Sequence, residues 1–192
     1  MELDLLLSQV RACRACAGAL PEEPRPVLQV SSTARLLIAS QAPGSKVQRS
    51  GIPFNDESGD RLREWTGLSK DDFYDERRVA IVPMGFCYPG RTSSGDAPPR
   101  RECAPLWRQP LLRHLVNLRL TLLVGSHAQV AVLGPGRMSD RVRAFADHLP
   151  SYFPLPHPSW RSRIWVRQNP WFEADVLPSL RAHVQAALEA VP

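Results

Sequence analysis

A histidine locked between two prolines, Leu155-Pro-His-Pro-Ser159, is the most pointed chemical feature of the chain. Each proline restricts the backbone beside it, so the imidazole of His157 is held rigidly and can donate to a carbonyl oxygen that becomes anionic. A buried loop histidine would carry the same neighbours. Upstream, Ser40-Gln-Ala-Pro-Gly44 sets a Pro-Gly turn, with exposed backbone N–H groups, directly behind an apolar run. Ser50-Gly-Ile-Pro-Phe54 and Asp56-Glu-Ser-Gly-Asp60 follow it. Phe54 on a loop can stack on a flat ring; a tight turn with one core phenylalanine is the plainer reading. Four cysteines complete the set: Cys13-Arg-Ala-Cys16, then Cys87 and Cys103 flanking fifteen residues of loop and early helix. Disulfides do not suit a cytosolic chain, so a metal site is the better reading. Four thiolates suit zinc or an iron–sulfur cluster, and the spacing alone leaves the two equal.

The elements that must carry these residues are legible as a pattern. Leu3, Leu6, Leu7 and Val10 recur at helical spacing and predict a helix over 2–18. Residues 21–26 read as a proline-rich connector. Apolar runs over 35–40, 78–83, 119–125 and 152–155 predict four strands. Helices are expected over 58–68, with Ser58 as N-cap, over 100–117, near 126–133 and over 171–190, with loop over 88–99. Strands alternating with helices predict an α/β chain: three layers, αβα, around a mainly parallel four-stranded sheet, folded as one domain over 1–192. In such sheets ligands bind beyond the C-terminal strand ends, where the unusual residues fall.

Composition narrows the classes. The 192 residues are 43% hydrophobic and 22% charged, which excludes disorder, and no apolar run reaches the roughly 18–20 residues of a membrane span. The first ten residues carry two acids and no early basic region, which predicts a cytoplasmic chain without a secretory signal. The net charge of +5 suits a polyanionic partner, and nearly all the basic residues are arginines, which favour bidentate phosphate contacts. No Gly-x-Gly-x-x-Gly or Walker loop points to a nucleotide-binding enzyme.

Taken together, from Cys13 to about Phe172, these clusters resemble the uracil-DNA glycosylases, especially families 4 and 5. Family 4 has a strand ending in Gly-Glu-Ala/Gly-Pro-Gly, then ten residues ending in Gly-x-Pro-Phe; Gln41 to Gly44 and Gly51 to Phe54 keep that spacing. Cys13, Cys16, Cys87 and Cys103 fit its four cluster cysteines, and His157-Pro158-Ser159 matches its second motif. The resemblance implies a monofunctional DNA-repair glycosylase that hydrolyses the bond between uracil, or another damaged base, and deoxyribose. It implies a 4Fe–4S cluster, with zinc as the alternative, and a monomer working on DNA. It also implies that Phe54 stacks on the extruded base, that Ala42, Pro43, Gly44 and Ser159 line the pocket, and that His157 sits near the pyrimidine O2.

Two positions depart from family 4. Gln41 stands where the family has a glutamate linked to hydrolysis, and an amide can position water but cannot take its proton. Pro83 stands where an asparagine reads the uracil edge. Asn55-Asp-Glu-Ser-Gly-Asp60 is similar to the Gly-Asp-Ala-Ser-Gly-Asp segment of family 5, which assigns Asp56 the catalytic part, although that family's Gly-Leu-Ala-Pro-Ala is absent. The expected catalytic set is thus Asp56, Gln41 and His157. Arg161 and Arg163 are expected on phosphates, with Trp160 or Ile164 as a wedge in the gap left by the flipped base. A non-catalytic metal-cluster DNA-binding protein and a glycosylase for another base are the competing readings.

Overall fold

The computed structural model describes residues 2–93 and 95–189. Its centre is a four-stranded sheet. β1 (Leu36–Ala39) pairs in parallel with β2 (Val79–Ile81) and with β5 (Leu120–Val124), and β5 pairs in parallel with β6 (Tyr152–Leu155). The spatial order is β2-β1-β5-β6. The strands are continuous apolar runs because both faces are covered. One face presents Leu36, Ile38, Val79, Ile81, Leu120, Leu122 and Phe153 to a core shared with α3 (Glu57–Thr66) and α9 (Leu177–Leu188). The alternate residues Leu37, Ala80 and Val82 face the opposite way, onto α1 (Leu3–Arg11) and α5 (Gln109–Leu112). Ala39 and Leu123 pack on Ala128 of α6 (Ser126–Leu133) on that side too. This is the expected three-layer αβα arrangement, since a period of two divides each strand between two helical layers.

Strand order reverses between β1 and β5, and such a switch point opens a crevice at the C-terminal edge. The segments behind β1, β2 and β6 all leave the sheet at that edge. A short antiparallel hairpin, β3 (Arg91–Thr92) and β4 (Gly95–Asp96), falls within the expected loop over 88–99. Its two-residue strands are too short to show any alternation.

Other boundaries differ from expectation for identifiable reasons. α1 stops at Arg11 rather than 18, because its buried stripe of Leu6, Leu7 and Val10 ends there; Cys13 and Cys16 lie in the turns that follow. The expected helix over 100–117 shrinks to a π-helical stretch, Ala104–Arg108, running into α5, with Pro105 and Pro110 near the two starts. The closing helix opens with a similar stretch, Phe172–Val176. α3 is capped by Asp56, whose side chain accepts from the Gly59 N–H at 3.0 Å, and Ser58 lies inside the helix. Four short helices went unpredicted: α2 (Ser45–Ser50), α4 (Lys70–Tyr74), α7 (Met138–Arg143) and α8 (Ser162–Gln168). Among the described residues no helix is long and apolar enough to cross a membrane.

Candidate active site

A cavity of about 650 Å³ opens at the C-terminal edge of the sheet, within the size range of small-molecule sites. Its wall comes from the segment after β1 (Gln41, Ala42, Pro43, Gly44), from Phe54 and Asp56 ahead of α3, from Pro83 after β2, and from His157 and Ser159 after β6. Every residue expected in catalysis or base binding therefore lines one space. Trp160, Arg161 and Arg163 line it as well.

Phe54 is held in an unusual backbone state. Its φ of +55° lies in the left-handed region, uncommon for a bulky residue and found where surroundings over-determine it. Three contacts do so here. The carbonyl oxygen of Phe54 accepts from the Tyr74 hydroxyl at 3.3 Å. The ring meets Phe73 edge-on at 6.1 Å. Gly59, in the first turn of α3, lies so close that a β-carbon there would sit 2.8 Å from Phe54 Cβ and run into its carbonyl. The ring is 9% exposed and forms part of the cavity wall.

His157 follows β6, whose end is pinned by two donors to the Leu155 carbonyl: the Gly125 N–H at 2.8 Å and the buried Gln129 amide at 2.9 Å. Gly125, with φ +84°, lets the imidazole approach; a β-carbon there would stand 3.2 Å from His157 Cβ. Burial pushes the His157 pKa down to about 4, with Asp96 opposing the shift and His127 adding to it. The imidazole is consequently neutral near pH 7 and can donate without carrying charge. Arg61 reaches across from α3 to donate to the Ser159 carbonyl at 2.8 Å, tying the His-Pro-Ser segment to the element that Asp56 begins.

Asp56 uses one carboxylate oxygen to cap α3. Burial raises its pKa above the ordinary carboxylate value; the Gly59 N–H works against this, Glu57 adds to it, and the Ser58 N–H and Lys46 oppose it. Gln41 does something its sequence position did not announce: its amide donates to the Ala97 carbonyl at 3.2 Å, beside Asp96. Asp96, Arg61 and Arg91 all line the cavity, and sequence reasoning missed all three. Their signal was weak: Arg61 sits inside a polar helix, and the other two lie in a loop without periodicity.

The mouth is basic and aromatic. Trp160 is 70% exposed, with the Arg161 guanidinium 5.4 Å from its ring, and Ile164 is exposed in the first turn of α8, which follows them. Arg161 also packs against Gly95 of the hairpin.

All four cysteines carry free thiols and line a second, small cavity of about 20 Å³, together with Arg100 and Trp107. Trp107 Nε1 donates to Cys13 Sγ at 3.2 Å, and the backbone amides of Arg25 and Phe86 and the Arg100 side chain lie near the Cys87, Cys103 and Cys16 thiols and favour their charged form. Donors of this kind stabilise thiolate charge, as ligation requires. Burial pushes Cys87 up to about 11 and raises Cys103, so a ligand that displaces those protons has to supply the difference. Among the described residues no three His, Cys, Asp or Glu side chains meet closely enough to hold a single ion. The four thiols nonetheless share one small cavity.

A solution NMR structure from Methanosarcina acetivorans, provisionally designated a uracil DNA glycosylase, is 17% identical; the match covers 80% of this chain and 93% of that one with a TM-score of 0.42. The family profile of the uracil DNA glycosylase superfamily matches residues 28–181, which include the wall segments after β1, β2 and β6, and the chain belongs to that superfamily.

Proposed function

We propose that this protein is a DNA-repair glycosylase that flips a damaged base, uracil among the candidates, into the 650 Å³ cavity and hydrolyses its glycosidic bond. The observation that carries this reading is the convergence of a neutral imidazole, a left-handed phenylalanine and a helix-capping carboxylate on one space with an arginine-rich mouth. The glycosidic carbon is inaccessible inside a duplex, so the nucleotide has to leave the stack. Trp160, with Ile164, fills the gap, while Arg161 and Arg163 hold phosphates.

Inside the cavity the ring of Phe54 stacks on the base. As the bond breaks, its electron pair moves into the base and negative charge grows on a carbonyl oxygen of the base. His157 and backbone N–H groups of the Gln41-to-Gly44 segment, other than that of Pro43, donate to that oxygen. Asp56 balances the positive sugar and orients water, whose oxygen bonds to the sugar carbon while its proton passes by way of a carboxylate to the departing base. Cys13, Cys16, Cys87 and Cys103 would hold a 4Fe–4S cluster, with zinc as the alternative, and the bound group would staple the N-terminal segment to the region after β2 and serve structure and DNA positioning.

The test is a cleavage panel: uracil, hypoxanthine and ethenocytosine, in single strands and opposite each base, scored as alkali-cleavable abasic product. Product from at least one base is expected. DNA binding without any product would favour a non-catalytic metal-cluster binder instead. One observation favours a second reading on base choice. Pro83 lines the cavity and offers no side-chain hydrogen bond to a pyrimidine edge, so a base other than uracil as the preferred substrate is the alternative that the panel separates.

A further inference from the structure

We infer that Asp96 is a second catalytic carboxylate of this cavity, facing Asp56 across Gly44, and that Gln41 is the positioning residue that holds it there. The inference rests on the glycosylase reading above and deepens it.

The geometry starts at Gly44. A β-carbon built on this residue would stand 3.8 Å from Asp96 Oδ2 and 3.9 Å from Asp56 Oδ2. Two carboxylate oxygens from separate elements, the hairpin and the start of α3, thus face one spot from less than about 8 Å apart. Glycine leaves that spot open. The other Asp56 oxygen is committed to the Gly59 N–H, so Oδ2 is the one turned to the cavity.

Asp96 is held in place from its C-terminal side. The Ala97 carbonyl accepts from the Gln41 amide at 3.2 Å, and the Ala97 N–H donates to the Gly90 carbonyl at 2.9 Å. Gln41 is itself fixed, since its carbonyl accepts from the Gly85 N–H at 3.0 Å and it follows directly on β1. A two-strand hairpin has little stability of its own, so this clamp sets where Asp96 points. An amide suits the clamp because it can donate to a carbonyl, which an ionised carboxylate cannot do. The acid–base function that an amide at position 41 cannot perform is supplied from position 96.

The chemistry balances with two carboxylates. A water held between the two carboxylates, over the bare Cα of Gly44, donates one hydrogen to each aspartate, which turns a lone pair toward the sugar carbon. The carbon–nitrogen bond breaks with its pair going to the base, the water oxygen forms the new carbon–oxygen bond, and its proton passes to one carboxylate. That proton leaves with the released base.

The test measures single-turnover cleavage of the substrate found in the panel, together with DNA affinity and melting temperature, for wild type, Asp96→Asn, Asp96→Glu, Gln41→Ala, the Gln41→Ala/Asp96→Asn pair and Gly44→Ala. Asp96→Asn is expected to slow cleavage roughly 100-fold without weakening DNA binding, as for loss of a general base. Asp96→Glu recovers part of that loss. Gln41→Ala slows cleavage about 10-fold, and the double variant is no slower than Asp96→Asn, because residues acting through one group are non-additive. Gly44→Ala, whose methyl meets both carboxylates at ordinary contact distance, keeps the melting temperature and slows cleavage about 10-fold by crowding the water between them. If Asp96→Asn unfolds, Asp96→Glu and Gly44→Ala carry the same test.

An Asp96→Asn rate within twofold of an active wild type overturns the role of Asp96 and leaves the glycosylase reading intact. Losses that multiply in the double variant overturn the role of Gln41. A wild type inert on every base overturns the glycosylase reading and this inference with it.

Discussion

Gly59 and Phe54 are locked together: the first turn of α3 lies against the Phe54 peptide, with no room for a β-carbon between them. The contact explains how a bulky residue stays at φ +55°, with Tyr74 bonding the same carbonyl. The helix that Asp56 caps thereby also holds the aromatic wall of the cavity.

Gly59→Ala is accordingly expected to destabilise the protein by about 2 kcal/mol, because the intruding methyl meets backbone that cannot yield cheaply. Denaturant midpoints measure it. Phe54→Gly is the complementary variant. It relaxes the left-handed residue but deletes the ring, so base capture falls by the roughly 1–3 kcal/mol of a base–aromatic stack. Binding to DNA that carries an uncleavable substrate analogue reads that loss.

His157→Ala should slow cleavage by about 2.7–4 kcal/mol of barrier, the usual effect of one lost oxyanion donor. The pH behaviour gives an independent check. Because the folded pKa is near 4 and the unfolded value near 6.5, the unfolded chain takes up the proton first as pH falls. Stability from this residue is complete above about pH 6.5 and is lost as pH drops toward 4. A pH series of urea unfolding should show that decline in wild type and a flatter profile in His157→Ala. The cleavage profile should carry no histidine limb between pH 5 and 8.

Asp56→Asn separates fold from chemistry. Asparagine caps a helix about as well as aspartate, so the cap survives. The folded pKa of Asp56 is raised, so the folded chain holds the proton longer and loses stability as pH climbs from the unfolded value through the folded one. Removing the charge should leave the melting temperature at pH 7 equal or higher while cleavage falls roughly 100-fold or more. In wild type the acid limb of the rate profile should lie above the ordinary carboxylate value of 3.8.

The cysteine cavity yields a prediction that needs no substrate. Protein purified without oxygen should be brown, with broad visible absorption and about four irons per chain if the group is 4Fe–4S. A colourless protein with one zinc points to the alternative. Cys16→Ser and Cys103→Ser, each removing a buried ligand, should lose the colour or metal and lower the melting temperature.

Much of this was legible in the chain. The apolar runs over 35–40, 78–83, 119–125 and 152–155 each contain a strand of the sheet, because a strand buried on both faces has to be apolar throughout. Local chemistry also singled out Phe54 and His157, since turn prolines and glycines constrain the backbone within a few residues, the resemblance to family 5 singled out Asp56, and all three line the cavity. Short helices such as α2 and α8 escaped, because they are held by tertiary contacts and not by a stripe long enough to read.

What only the tertiary structure decided is how distant residues divide the work. By resemblance, Gln41 read as a water partner, while Asp96 fell within the loop expected over 88–99 and was not singled out. The fold joins them through a bond from the Gln41 amide to Ala97, 56 residues apart. It brings Asp96 and Asp56 to the same glycine and lays Arg61 against the His-Pro-Ser segment. Sequence determines which groups have the chemistry; which of them meet depends on loops from three strand ends converging at one edge of the sheet, and such contacts leave no period along the chain.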